Sequence, residues 1–321
     1  MKRFINILAL SLFLCLLCAL TLTSCEADPS EGLIYTFSEK MNGYVVSKIG
    51  TCTDADIVIP SEYNGKKVVA VGMGAFIQNE KITSVTLPEG IVYIDRFAFG
   101  DCTKLTKVVI PSSLETIHDH AFYGCASLEK ITLPDSIKSI ARMVFDDTAY
   151  YHNSNNWEDG VLYIGKHLVA SDSNLETCTV KDGTLTIAGS AFLSHQKLTY
   201  VKLPDSVTMI DNSTFNGCTG LTKVDLPKNL TAIGNYAFSG CKNLSSFTIP
   251  RSVTVIGEGT FRYCHALTEI TIPSGVTTMG KGVFENCSVL ASILCEASDR
   301  PAGWHADWTK GLPETTEIIS K

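Results

Sequence analysis

Six cysteines recur at one spacing: Cys102 and Cys125, then Cys218, Cys241, Cys264 and Cys287, each 23 residues from the next within its group. Thiols stacked at the roughly 4.8 Å of neighbouring strands would suit disulfides or a ladder of soft-metal ligands. Asn79, Thr148 and His195 take the same register position, however, and no C-x-x-C pair occurs beyond Cys15 and Cys18 of the apolar leader. The position therefore reads as a small, buried, weakly hydrogen-bonding group, with a disulfide spine and a metal ladder as the alternatives. His118 and His120 flank Asp119 as an H-x-H that would hold a transition metal if both rings faced one side. They fall in the turn before Ala121-Phe122, where other repeats carry Arg96 or Asn235, and read as solvated loop residues. Asp146-Asp147 reads as a turn-forming pair. No G-x-S-x-G, H-E-x-x-H or glycine-rich phosphate loop is present. The patterns call for no catalytic centre, no metal and no cofactor.

These residues are held by a repeat. Phe76, Phe99, Phe122 and Phe145 are each 23 residues apart, and so are Phe192, Phe215, Phe238, Phe261 and Phe284. Pro88, Pro111 and Pro134 keep the spacing, as do Pro204, Pro227, Pro250 and Pro273, while the step from Phe145 to Phe192 is 47. In the unit beginning at Leu221, residues Leu221, Val224 and Leu226 form an L-x-x-L-x-L strand, with Val224 and Leu226 on one face. Pro227 ends that strand because it has no N–H for the ladder. Leu230 and Ile233 bring the chain back inward as a possible short second strand, Ala237-Phe238 plugs the coil, and Gly240 suits a turn with positive φ. No unit buries a core alone, so the units must stack. The expectation is a mostly β, right-handed leucine-rich repeat solenoid with short helical turns and a parallel sheet on its concave face.

Composition agrees with a folded, acidic chain. Over 321 residues there are 26 Lys and Arg against 33 Asp and Glu, a formal net charge of −7, with 45% hydrophobic and 18% charged residues. Disorder is excluded for the bulk of the chain, and a general phosphate-binding surface for nucleic acid is not expected.

The pattern V-x-[LI]-P-x-x-[VL]-x-x-I-x-x-x-A-F-x-x-C-x-x-L resembles the BspA-type leucine-rich repeat family of bacterial surface proteins. The likeness extends to a lengthened first repeat, Ile57 to Phe76, and to a closing cap with Cys295, Pro301, Trp304 and Trp308. It implies a non-enzymatic protein that adheres to a host or neighbouring cell-surface protein. At the start, Lys2-Arg3, the apolar run Phe4 to Leu20 and Leu22-Thr23-Ser24-Cys25 resemble the signal peptide and lipobox of bacterial lipoproteins. That likeness implies cleavage before Cys25, a diacylglyceryl group on its thiol, and lipid anchoring in the bacterial envelope outside the cytoplasm. An uncleaved membrane-spanning anchor is the alternative.

The resulting organisation is a lipoprotein signal peptide over 1–24, a tether over 25–32, and an N-terminal cap with the lengthened first repeat over 33–80. Repeats follow over 81–145, an irregular interruption with a hairpin around Gly165-Lys166 over 146–187, repeats over 188–290, and a C-terminal cap over 291–321. Outward strand positions give a candidate ligand surface of Lys107, Lys130, Tyr200, Lys202, Lys223 and Asp225, a basic patch on an acidic protein. Tyr150, Tyr151, Trp157 and Tyr163 in the interruption would pack under the loop, stack on sugar rings, or anchor a protein. Binding of a protein partner is the leading expectation; a glycan-binding lipoprotein and an envelope spacer without a ligand are the alternatives.

Overall fold

The computed structural model describes residues 28–320. The apolar leader and Cys25 lie outside the described residues. The folded part begins inside the segment read as a tether, because the Ser30 N–H donates to the Val58 carbonyl at 2.9 Å and Ser30 Oγ accepts from the Val58 N–H at 3.1 Å.

A hairpin opens the fold, with Ile34–Ser38 antiparallel to Gly43–Lys48. From there the chain coils as a solenoid with two columns of short parallel strands. The first column contains Asp56–Val58, Ser84–Thr86 and Lys107–Val109, extended by a single bridge from Lys107 to Lys130. It resumes with Thr177–Thr179, Tyr200–Lys202 and Lys223–Asp225, and again with Glu269–Ile272, Ser292–Cys295 and Glu317–Ser320. The second column runs through Lys66–Val71, Tyr93–Ile94, Thr116–Ile117 and Ser139–Ile140, and later through Met209–Ile210, Ala232–Ile233, Val255–Ile256, Thr278–Met279 and Gly303–Trp304. The return side of each coil is thus a ladder of its own, two residues wide.

Residues 246–248, one 23-residue period after Lys223–Asp225, form no ladder. Phe247 stands there where Val224 stands one repeat earlier, and its ring wedges edge-on between Phe238 at 4.9 Å and Phe261 at 4.8 Å. The larger inward group takes the space that would let the backbones approach to pairing distance.

Between the columns, the repeat phenylalanines stack ring on ring, from 5.1 Å for Phe76 and Phe99 to 5.8 Å for Phe238 and Phe261. The stack closes on the C-terminal cap, where Trp308 meets Phe284 edge-on and Trp304 donates its indole N–H to the Val276 carbonyl at 2.9 Å. Each repeat cysteine tucks under this stack. Cys102, Cys125, Cys218, Cys241, Cys264 and Cys287 donate through Sγ to the carbonyl of the phenylalanine one coil earlier, over 2.9 to 3.2 Å. All nine cysteines among the described residues are free thiols.

Every phenylalanine turn is bracketed by two left-handed residues. Two positions before each ring stand Gly74, Phe97, His120, Met143, Ser190, Ser213, Tyr236, Gly259 and Gly282, all with φ between 51° and 65°. Two positions after it stand residues such as Asp101, Ser194, Gly240 and Asn286, also at positive φ. Left-handed backbone costs a non-glycine residue roughly 1 kcal/mol, so coil stacking supplies what the local sequence does not.

Candidate functional site

The outward side of the first column carries the candidate ligand surface. Lys107, Val109, Lys130 and Lys202 are exposed, and Lys223 is exposed while Tyr200 and Asp225 are half-buried. Alternation along each strand puts Val85, Val108, Val201 and Val224 inward and their neighbours outward. Lys107 and Lys130 sit side by side through the bridge that joins their backbones. At the far end of the same row, Asp56 accepts from Ser84 Oγ at 2.6 Å and Thr83 Oγ1 at 2.8 Å; these hydroxyls, and then the charge of Lys107, hold its carboxyl below the usual range.

A second group forms around Asp225. Tyr200 donates its hydroxyl to Asp225 Oδ2 at 2.5 Å, while Lys223 Nζ lies 3.0 Å from Asp225 Oδ1 and 5.4 Å from the centre of the Tyr200 ring. Those two bonds, Tyr200 first, lower the Asp225 carboxyl, and the bond to Asp225 raises both the Tyr200 phenol and the Lys223 ammonium. Lys223 is therefore neutralised locally, whereas Lys202 opposite Asp225 has no ion pair among the described residues. Lys107 and Lys130 belong to one stretch of the first column and Tyr200, Lys202 and Lys223 to another, with the interruption between the two stretches.

The interruption replaces a coil. A single helical turn, Ala149–His152, caps itself on Thr148 and donates the Tyr150 N–H to the Leu128 carbonyl at 2.8 Å, which ends the first stretch beside Lys130. Val161–Ile164 and His167–Ser171 then form the expected hairpin, with Gly165 at φ 60° in its turn. His167–Ser171 lies parallel to Thr186–Ile187, and the Gly189 N–H reaches the Ile140 carbonyl at 2.8 Å, so the second column continues past the insertion.

The four aromatic residues divide by role. Tyr150 donates its hydroxyl to the Tyr163 carbonyl at 2.7 Å, and the Tyr163 hydroxyl accepts from the Lys181 N–H at 3.2 Å under the Lys181 ammonium. Both hold the loop to the coil. Tyr151 and Trp157 meet edge-on at 5.3 Å and line a cleft of about 440 Å³ with Asp146, Asp172, Ser190 and His195. In that cleft Ser171 donates its hydroxyl to the Ala191 carbonyl at 2.6 Å, and His195 Nε2 stands 2.9 Å from Ser171 Oγ. His195 Nδ1 faces the Leu193 carbonyl at 3.1 Å, where a catalytic triad would need a carboxylate. The pair fixes the turn in place of the usual cysteine.

The H-x-H separates in its contacts: His118 meets Tyr93 edge-on at 5.6 Å, and His120 stacks on Phe97 at 4.7 Å. Burial, and then the charge of Arg142, lowers the His120 imidazole pKa. No group of three or more potential metal ligands occurs among the described residues.

The repeat pattern itself decides the family. The BspA type leucine rich repeat region, in six copies, matches residues 69–199 and 186–300. The chain belongs to this family. Among solved structures, this BspA-type protein is similar to a leucine rich repeat protein of T. pallidum, at 26% identity over 68% of this chain and 91% of that one, with a TM-score of 0.40. A leucine-rich repeat protein of Bacteroides ovatus is 26% identical over 93% of this chain and 76% of that one, with a TM-score of 0.43. A leucine rich cell surface protein of Faecalibacterium prausnitzii is 23% identical over 90% and 98%, with a TM-score of 0.43. No curated protein matches the chain. Within the BspA-type framework, sequence reasoning missed the cleft, which draws together Asp146, read there as a turn former, and His195, read as a stand-in for the repeat cysteine, with Asp172 and Ser190, which it did not single out; the 47-residue step between Phe145 and Phe192 was the available signal.

Proposed function

We propose that this chain is a lipid-anchored, non-enzymatic protein of the bacterial cell surface that binds a protein partner through the outward face of its first strand column. One observation carries the reading. The first column sets charged side chains outward at Lys107, Lys130, Lys202, Lys223 and Glu269, whereas in the two-residue strands of the second column from Tyr93–Ile94 to Thr278–Met279 the outward residues are Tyr93, Thr116, Ser139, Met209, Ala232, Val255 and Thr278, none of them charged; the exposed Lys66 and Lys67 lie only at its N-terminal end. Fixed charges on a regular ladder steer and orient a macromolecular partner, and exposed Val109 beside Lys107 adds apolar contact area. Anchoring through Cys25 fits the lipobox-like residues before it and would present that face to the surroundings.

A photoreactive amino acid at Lys130 or Lys202 tests the assignment on living cells. The proposal expects the same cross-linked protein from both positions and none from Thr231 or Thr254, which flank the second column. Cross-links from Thr231 and Thr254 alone would move the binding face to the other column.

A further inference from the structure

The break in the phenylalanine column leaves the cleft described above, and its chemistry differs from that of the charged ladder. It opens on the turn side of the coil, between the turn that ends at Asp146 and the turn that carries Ser190 and His195. Two of its lining groups have no partner among the described residues. The Asp146 carboxylate is half-buried and makes no hydrogen bond or ion pair, and Ser190 Oγ is fully buried and unbonded. An unpaired polar group at a partly buried site costs on the order of 1 to 3 kcal/mol, so Asp146 is poised for a polar ligand, whereas Ser190 Oγ is sealed behind the wall of the cleft.

The sign of the charge selects the ligand. Asp172 is held ionised by bonds from the Asn174 N–H at 2.8 Å and the Asn174 side-chain amide at 3.1 Å. No Lys or Arg side chain lines the cleft, so an anion would find no counter-charge. Tyr151 and Trp157 contribute ring surface, and the Trp157 indole N–H is already spent on the Tyr151 carbonyl at 2.7 Å, which leaves the rings an apolar, electron-rich wall. We propose that this cleft binds an organic cation, an ammonium or guanidinium group, with its charge against Asp146 and Asp172 and its apolar face on Tyr151 and Trp157. Burial, and then the charge of Asp147, pushes the Asp146 carboxyl up to about 6 against the lowering charge of Arg142. The ionisable groups around it are Arg142, Asp147 with His152 at 3.2 Å, Tyr123, Tyr151, Asp172 and His195. The inference stands apart from the proposal for the first column, and either can fail alone.

The test uses the ¹⁵N-labelled protein and the indole N–H resonance of Trp157. Methylguanidinium and butylammonium should shift it saturably, with affinity rising from about pH 5 to about pH 7 as Asp146 ionises. Asp146→Asn should weaken both by about tenfold, and Asp172→Asn by less because Asp172 lies nearer solvent. The remaining resonances report whether each variant stays folded. An acetylated, amidated Gly-Arg-Gly peptide separates sources: tighter binding than methylguanidinium marks a partner's side chain as the ligand, and equal binding marks a free small cation, both in support. Saturable binding of N-acetylglucosamine without methylguanidinium, or unchanged cation affinity in Asp146→Asn, would overturn the proposal.

Discussion

The thiol of Cys241 donates to the carbonyl of Phe215 across 3.2 Å, from one coil to the coil before it. The same bond recurs at Cys264 with Phe238 and at Cys287 with Phe261. A repeat cysteine is therefore a stacking element, holding the turn carbonyl of its neighbour while filling a small apolar space.

Replacing Cys241 with alanine should cost about 1 to 2 kcal/mol, from the lost bond and the space left under the Phe215 and Phe238 rings. Urea denaturation of the variant against the wild type measures it. An unchanged midpoint would mean that the thiol only fills a tolerant position.

The thiols should also be unreactive in the native state. Burial pushes the Cys102 thiol up to about 11 and those of Cys218 and Cys287 up to about 12, while Cys52 is only half-buried and so more accessible to reagents. Iodoacetamide at neutral pH should label Cys52 first, and the repeat cysteines only after denaturation. Disulfide-linked peptides from adjacent coils would contradict free thiols.

Left-handed turn residues give a stabilising change. Ser213 holds φ 57° two residues before Phe215, at the position that Gly259 and Gly282 occupy in later coils. Ser213→Gly should raise stability by roughly 1 kcal/mol, since glycine adopts that conformation without strain. A lower denaturation midpoint would show that the serine makes a contact worth more than the strain.

Asp146 makes stability depend on pH in a defined direction. Its carboxyl is raised from 3.8 to about 6 in the folded chain, so folding favours its protonated form. The contribution is fully present below the unfolded value and is lost as pH rises through about 6. Asp146→Asn should therefore be more stable than wild type at neutral pH, with the gap closing toward pH 4. A gap that stays constant with pH would place the effect elsewhere.

Much of this fold is legible because apolar spacing and chain-breaking residues state it outright. The 23-residue recurrence of Phe238 and its equivalents fixes the coil, Pro227 ends the strand, and Gly165-Lys166 marks the hairpin. The left-handed turns at Phe97, His120 and Met143 were hidden, because only Gly240 and its kind announce positive φ and coil stacking imposes it on the others. Phe247 stands at the inward position of Val224 one repeat on, and only its packing between Phe238 and Phe261 shows why the ladder opens there. For the candidate surface, alternation placed Lys107 and Lys130 outward, but the pairing of Lys223 with Asp225 depends on side-chain reach that spacing does not encode. The cleft arises from a missing coil, and no local motif records a vacancy between distant segments.

The most direct measurement of the binding proposal is the affinity of the partner captured at Lys130 and Lys202 for the triple variant Lys107→Glu, Lys130→Glu and Lys202→Glu, titrated with salt. The proposal predicts binding weakened by about tenfold or more at low ionic strength, with the difference shrinking as salt screens the surface charges. Each substitution should leave the fold within about 0.5 kcal/mol of wild type, because all three side chains point into solvent. A variant that binds as tightly as wild type across the titration would contradict the assignment of this face.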